Sequence, residues 1–246
     1  MKARPSRFML GGRTYSPAAS LLLATPFLLV LMLAFLLPLG MLLRESLFVP
    51  SFTVEHYRRV FDEPVYLRVM YRTIRISALV TLISLLLGYP LAALMARTRG
   101  LMLNLLLVAV LLPLWTSVLV RTYAWLVLLQ RNGVVNDLLT GLGVVDAPMQ
   151  LLRTEGAVVL AMSHVLLPFV VLPLYATLRA IPDDYARAAR MLGANGFAVF
   201  RHVTLPLSMP GITSGCVMVF LLALGFFVTP ALIGGPQQMM LATLVQ

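Results

Sequence analysis

Apolar residues in this chain gather in long runs without a charge. Neither the two-residue alternation of a strand nor the one-sided stripe of a soluble helix describes them. Such runs lie between Arg13 and Arg44, Arg75 and Arg97, Arg99 and Arg121, and Glu155 and Arg179, and no formal charge follows His202. A helix needs roughly 20 apolar residues to cross a hydrocarbon core about 30 Å thick. The runs therefore predict five membrane-spanning helices over about 18–43, 74–96, 103–129, 157–177 and 210–232. After the fifth come the turn Gly234-Gly235-Pro236 and the segment 239–246, which is too short to cross, so a sixth span is expected to be missing from the C-terminal end. The first run is longer than the roughly 7–15 residues of a secretory signal and no small-residue cleavage site ends it, which makes it an uncleaved span.

The segments between the runs have patterns of their own. Residues 51–73 read as one or two amphipathic interfacial helices with anchoring aromatics. The stretch 131–155 reads as a loop whose NGVVNDLLTGLG string forms a short surface helix. Pro90, Pro113, Pro168 and Pro173 interrupt the hydrogen-bond ladders of three spans, and a kink is expected at Gly88-Tyr89-Pro90. Carbonyls freed in this way are tolerated at membrane depth only where protein or a wet cavity satisfies them. The fold class is an all-α integral membrane protein, read as one domain over 1–246.

Composition agrees, because 60% of the residues are hydrophobic and 11% charged, with mean hydropathy +0.94. No water-exposed surface of ordinary size accommodates that balance. A net charge of +10 would suit nucleic acid, but the arginines are scattered through short loops, so the charge reads as membrane topology and no nucleic-acid partner is expected. With the N-terminus cytoplasmic, inner segments hold ten Lys+Arg (Lys2, Arg4, Arg7, Arg13, Arg97, Arg99, Arg179, Arg187, Arg190, Arg201) and outer segments eight. Cys216 is the only cysteine, which rules out an intrachain disulfide and a cysteine-rich metal site.

The one long inner loop, 180–208, is patterned as a docking element. Asp183, after Pro182, is placed to cap a helix, with Asp184 in its first turn and Arg187 and Arg190 three or four residues on. Tyr185, Ala188, Ala189 and Leu192 recur at i, i+3, i+4 and i+7, which gives that helix an apolar face with Asp184, Arg187 and Met191 turned elsewhere. Gly193 is placed to end it with positive φ. A second helix is expected from Gly196 to Val203, starting after Asn195 and ending before Pro206.

This loop resembles the EAA loop of permeases in binding-protein-dependent ATP-binding-cassette importers. The family pattern is Glu-Ala-Ala, three residues, Gly, then an apolar stretch closing on Leu-Pro. The matching positions are Arg187, Ala188 and Ala189, then Gly193, then Leu205 and Pro206, with Arg187 standing where the family has glutamate. The strings LGYPLA (87–92), LPLWTSVLVRTYAW (112–125), LPFVVLPLYATL (167–178) and FVTPALIGGP (227–236) resemble the spermidine/putrescine-type branch, and with the loop they cover most of the chain. The resemblance implies a type I importer bundle in the bacterial inner membrane, normally of six spans. It implies uptake of a polyamine or similar small organic solute handed over by a periplasmic binding protein. It also implies a second homologous permease subunit, a heterodimer being expected, and an ATPase dimer gripping the loop at Asp184, Tyr185, Arg187, Ala188, Ala189, Leu192, Gly193 and Pro206.

The sequence itself agrees at one point. A phosphate-cradling P-loop needs lysine, and the only lysine is Lys2, so this chain does not hold that ATP site. The resemblance implies no catalytic residue and no cofactor in this chain, with ATP and Mg on the partner ATPase. Residues of the translocation path are sought within the spans. Arg121 lies near the outer interface with Tyr123 and Trp125, where it either snorkels or receives solute at the mouth. His164 either lines the path or makes an interhelical hydrogen bond. Phe226 stands where related polyamine permeases often have an acidic residue, which weakens the case for a cationic solute. An ion-coupled secondary transporter would ordinarily place a carboxylate at membrane depth, and all nine acidic residues here lie in loops. A hydrolase is disfavoured because there is no Gly-x-Ser-x-Gly or His-Glu-x-x-His motif, and Ser163 and His164 are neighbours pointing about 100° apart.

Overall fold

Runs of apolar residues with no polar partner in reach satisfy their backbone by coiling into helices, and this is how nearly all of the chain is built. The computed structural model describes residues 8–10, 13–48 and 52–244, which fall into two compact units divided in sequence after Pro64.

In the first unit, β1 (Phe8–Leu10) and β2 (Arg13–Tyr15) pair antiparallel, with Phe8 opposite Tyr15 and Leu10 opposite Arg13. This short ladder is the one departure from the all-helical expectation among the described residues. Helix α1 (Pro17–Phe48) has 32 residues, and none of its most apolar window is buried. A helix apolar all round and bare all round belongs in lipid or against another chain. Helix α2 (Glu55–Asp62) carries two i,i+4 ion pairs, Arg58–Asp62 and Arg59–Glu55, and Tyr57 accepts a 2.8 Å hydrogen bond from Ser46 near the end of α1.

The second unit is organised around α7 (Glu155–Ala180), which starts on a Thr154 cap accepting from Ala157 N at 3.2 Å. Two-thirds of its apolar window is buried, against 28% for α3 (Pro64–Arg97). Its flanking helices turn stripes of small residues towards the core. On α3 the buried positions include Thr73, Ile76, Ser77, Val80, Ser84, Gly88 and Ala92. The stripe on α10 (Leu205–Leu224) runs Ser208, Gly211, Gly215, Val219 and Ala223. A Cβ on Gly211 would stand 2.6 Å from Thr177 Oγ1 and 3.1 Å from Leu174 Cα, and one on Gly215 3.1 Å from Val170 Cα. Glycine there lets the two backbones approach without side chains between them, the usual means of holding helices together where lipid removes the hydrophobic drive.

Three expectations are corrected. The single span expected over 103–129 is two helices, α4 (Gly100–Trp115) and α5 (Val118–Leu129), and α6 (Val134–Gly141) continues the second arm. The arms meet at 101°. Proline at 113 weakens the ladder, and Thr116 then folds its amide and hydroxyl back onto Pro113 O at 3.2 and 2.9 Å and leaves the helix in extended conformation, so that Ser117 starts a new one. Second, the helix expected to stop before Pro206 does not stop. Asn195 caps α9 (Gly196–Val199) by accepting from Ala198 N at 2.8 Å, and a π-turn over Phe200–Thr204 carries the helix directly into α10. The wide turn, in which Leu205 N reaches back to Phe200 O, spares the chain the i−4 clash that proline would impose on a regular helix. Third, the span expected over 210–232 ends at Leu224, and after a break at 225–227 comes a separate short helix, α11 (Val228–Ile233).

Helix α3 begins ten residues before the expected 74 and passes through Pro90 unbroken. The last described element is α12 (Leu241–Leu244), whose Leu241 N donates to Thr73 Oγ1 at 2.8 Å. Four helices are long and apolar enough to cross a membrane, and the bent α4–α5 arm would be a fifth.

Candidate coupling element and solute path

The sequence after α7 folds into a short, projecting element. Ile181 and Pro182 end α7 in extended conformation, and α8 (Asp183–Met191) follows. Pro182, rather than the expected Asp183, occupies the cap position, and no side chain caps the first turn. Proline pre-sets the entry angle, and Asp183 and Asp184 lie inside the first turn, where the helix dipole favours them. At the other end Gly193 has φ +87°, with Gly193 N bonded to Arg190 O at 2.9 Å and Ala194 N to Ala189 O at 3.0 Å. That pair of bonds is a Schellman closure, and the left-handed residue it requires is the reason for glycine at this position.

No residue of α8 is fully buried. Ala186 and Ala189 are half-buried, while Tyr185, Ala188 and Leu192 of the expected apolar face are exposed, as are Asp184 and Arg187. Met191 and Leu192 are each 89% exposed. Arg187 lies 3.8 Å from Asp184, an exposed contact that leaves both charges free for a partner. Pro206 stands apart from these residues along the chain, in the first turn of α10, and its role is to carry the wide turn above.

The element is wired to the bundle through aromatic and hydroxyl contacts that sequence reasoning missed. Phe200, in the π-turn, packs edge-on against Tyr89 of α3 with ring centres 5.7 Å apart. Tyr89 also shares a 3.3 Å hydrogen bond with Ser208. Arg179, in the last turn of α7, donates to Ala96 O at 2.9 Å and so satisfies a carbonyl near the end of α3. The Gly88-Tyr89-Pro90 string stands out in the sequence for its proline and for its place in LGYPLA, neither of which points to the contacts of Tyr89.

A second locus lies where α4 breaks. Arg121 of α5 donates from Nη2 to Thr116 O at 3.2 Å and from Nη1 to Val165 O of α7 at 3.4 Å, while its Nε is buried without a partner. The guanidinium thus covers a carbonyl exposed by the 101° break. One turn on, Trp125 Nε1 donates to His164 Nδ1 at 3.2 Å, and the two rings pack at 5.8 Å. This bond makes Nδ1 the acceptor, so the imidazole proton sits on Nε2. Arg121, Trp125 and His164 therefore form one corner between α5 and α7. Tyr123, at the intervening position, is exposed on another face of α5. Phe226 lies in the 225–227 break, half-buried against the apolar core. Beneath the corner, and also missed from sequence, Thr122 and Thr229 share a 2.9 Å hydrogen bond and are both fully buried, tying α5 to α11. No carboxylate lies in the interior of α3, α7 or α10.

The family model described as "Binding-protein-dependent transport system inner membrane component" matches residues 7–245. The spermidine/putrescine transport system permease protein PotB of Haemophilus influenzae is 38% identical over 221 residues, 90% of this chain and 76% of that protein. The molybdenum transport system permease protein ModB of Mycobacterium bovis is 35% identical over 172 residues, 70% of this chain and 63% of that protein. Among solved structures, a bacterial ABC transporter involved in import of the acidic polysaccharide alginate superposes with TM-score 0.68, covering 92% of this chain and 83% of that one at 19% identity, which is a likeness of fold. The projecting loop, the bundle behind it and these matches lead to one conclusion: the chain belongs to the family of inner-membrane permease components of binding-protein-dependent ATP-binding-cassette importers.

Proposed function

We propose that this chain is one half of the transmembrane path of an importer for a polyamine or similar small organic solute. Separate ATPase subunits, holding ATP and Mg, dock on α8 and drive it. The observation that carries this reading is the short helix α8 standing off the end of α7 with Met191 and Leu192 almost fully exposed. Side chains of that size pointing at water mark a surface awaiting a partner. Asp184, Tyr185, Arg187, Ala188, Ala189, Leu192 and Gly193 form the docking side, and Pro206 belongs to the hinge behind it. Closure of the ATPase dimer moves α8 and α9 as a body. The motion enters the bundle through Phe200 against Tyr89 and through the continuous 196–224 helix, whose glycine stripe slides on α7.

The second half of the path is a homologous permease subunit, a heterodimer on this reading. A periplasmic solute-binding protein delivers the solute, and the N-terminus is cytoplasmic. Arg121, Trp125 and His164 sit at the mouth of the path, Tyr123 anchors the same helix at the interface, and Phe226 lines the break beyond α10. The test replaces Asp184 with Lys in the assembled importer. The variant is expected to insert normally and to lose most of the ATPase that co-purifies with the wild type. An unchanged yield of ATPase would remove Asp184 from the interface.

A further inference from the structure

Behind α8 lies a recess of about 340 Å³ lined by Ala96, Arg97, Arg99, Leu178, Arg179, Ile181 and Asp183. The volume is far above the roughly 10–15 Å³ that admits one water. The ends of three helices meet here: α3 stops at Arg97, α4 starts after Arg99 and α7 stops at Ala180. Each contributes a guanidinium, and the only carboxylate in the lining is Asp183, so the formal balance is three minus one, or +2. Among the described residues no ion pair joins Arg97, Arg99, Arg179 or Asp183 to anything. Arg179 spends one donor on Ala96 O, which fixes its head at the rim. Arg97 and Arg99 remain exposed, with their planar forks uncommitted.

We propose that this recess is a phosphate-binding site, and that a phosphate group seated on Arg97 and Arg99, with Arg179 beside them, ties the end of α3 to the start of α8. Three like charges converging on one polar pocket repel one another until an anion sits between them, and guanidinium forks match phosphate oxygens two at a time. The pocket lies at the ends of α3 and α7, two helices long and apolar enough to cross a membrane, so the phosphate is supplied either by an anionic phospholipid or by the aqueous phase. A second recess of about 120 Å³ shares Ala96, Arg97, Leu178, Ile181 and Asp183 with it and reaches Val203 and Thr204 of the π-turn. Occupancy is therefore felt at the hinge of the coupling element.

The complete importer is reconstituted in nanodiscs of phosphatidylcholine alone, of phosphatidylcholine with phosphatidylglycerol, and of phosphatidylcholine with millimolar inorganic phosphate. Bound phosphatidylglycerol is counted by native mass spectrometry, and inorganic phosphate is followed by 31P NMR line broadening. Wild type is compared with R97Q/R99Q, with R97K/R99K, and with R44Q/R131Q, which removes two charges elsewhere. Retention of phosphatidylglycerol by the wild type and the control, with at least a tenfold loss in R97Q/R99Q and partial recovery in R97K/R99K, supports the site with a lipid source. The same pattern for inorganic phosphate alone supports it with a soluble source. Equal binding by wild type and R97Q/R99Q, or no binding of either probe to the wild type, overturns it. Should R97Q/R99Q not assemble, R99Q alone is read in its place, with the same outcomes.

Discussion

Replacing Gly193 with Val isolates the geometry of the coupling element from its contacts. The residue has φ +87°, and a Cβ built there meets nothing within 4 Å, so the entire penalty is in the backbone. A β-branched residue held in the left-handed region costs of order 1–3 kcal/mol. The chain sheds that strain by opening the closure formed by Gly193 N on Arg190 O and Ala194 N on Ala189 O, which frays the last turn of α8. At about 2 kcal/mol the equilibrium constant for closing α8 falls about 30-fold. Because α8 buries nothing fully, insertion and the rest of the fold are unaffected. In proteoliposomes carrying the assembled importer, G193V is expected to lose ATP-driven uptake, by at most that factor, while ATP hydrolysis by the partner persists. The chain contains its own control. Gly143 ends α6 with φ +67°, an equally open Cβ position and the same pair of bonds, Gly143 N to Thr140 O at 3.1 Å and Val144 N to Leu139 O at 3.0 Å. G143V carries the same strain far along the chain from α8 and should leave coupling intact. Wild-type uptake by G193V, or an equal loss in G143V, would refute the reasoning.

Two further outcomes test the packing behind the coupling element. Thr122→Val leaves the buried Thr229 hydroxyl without its partner and should destabilise by about 1 kcal/mol, and the double variant T122V/T229V should lose less than the sum of the two single variants. Thermal unfolding in detergent measures the cycle, and strictly additive losses would show that the pair does not couple α5 to α11. Gly215→Val drives a side chain into the Val170 backbone, whose Cα would stand 3.1 Å from the new Cβ, and overpacking of this kind costs about 1–3 kcal/mol. The same change at Gly141 of α6, with nothing within 4 Å, should have a much smaller effect, and equal Tm values for the two variants would contradict the contact between α10 and α7.

The parts of this fold that were legible in the sequence are those fixed by local chemistry. Apolar runs of about 20 residues marked the spans, Asn195 marked a cap, and Gly193 marked a left-handed helix end. What escaped depends on partners distant in the chain. The 101° bend follows from Thr116 folding back after Pro113, and nothing in a charge-free stretch announces that choice over a gentle kink. Pro206 read as a stop because a regular helix cannot pass it easily, and the π-turn that lets the helix through has no sequence signature. The corner of Arg121, Trp125 and His164 could be listed residue by residue, but only the crossing of α5 and α7 brings Trp125 to His164 and Arg121 to Val165. Thr122 and Thr229 carry no pattern at all, being ordinary threonines 107 positions apart.

The central claim is that work reaches the bundle through α8. A photo-reactive label at Leu192→Cys, in a chain with Cys216 replaced by Ser, samples one of the two most exposed apolar positions at the end of that helix. In the intact importer the label is expected to cross-link to the ATPase subunit, with a yield that changes when ATP is trapped in the closed dimer. A label that reacts only with lipid, or that a membrane-impermeant quencher reaches from the periplasmic side, would contradict the account.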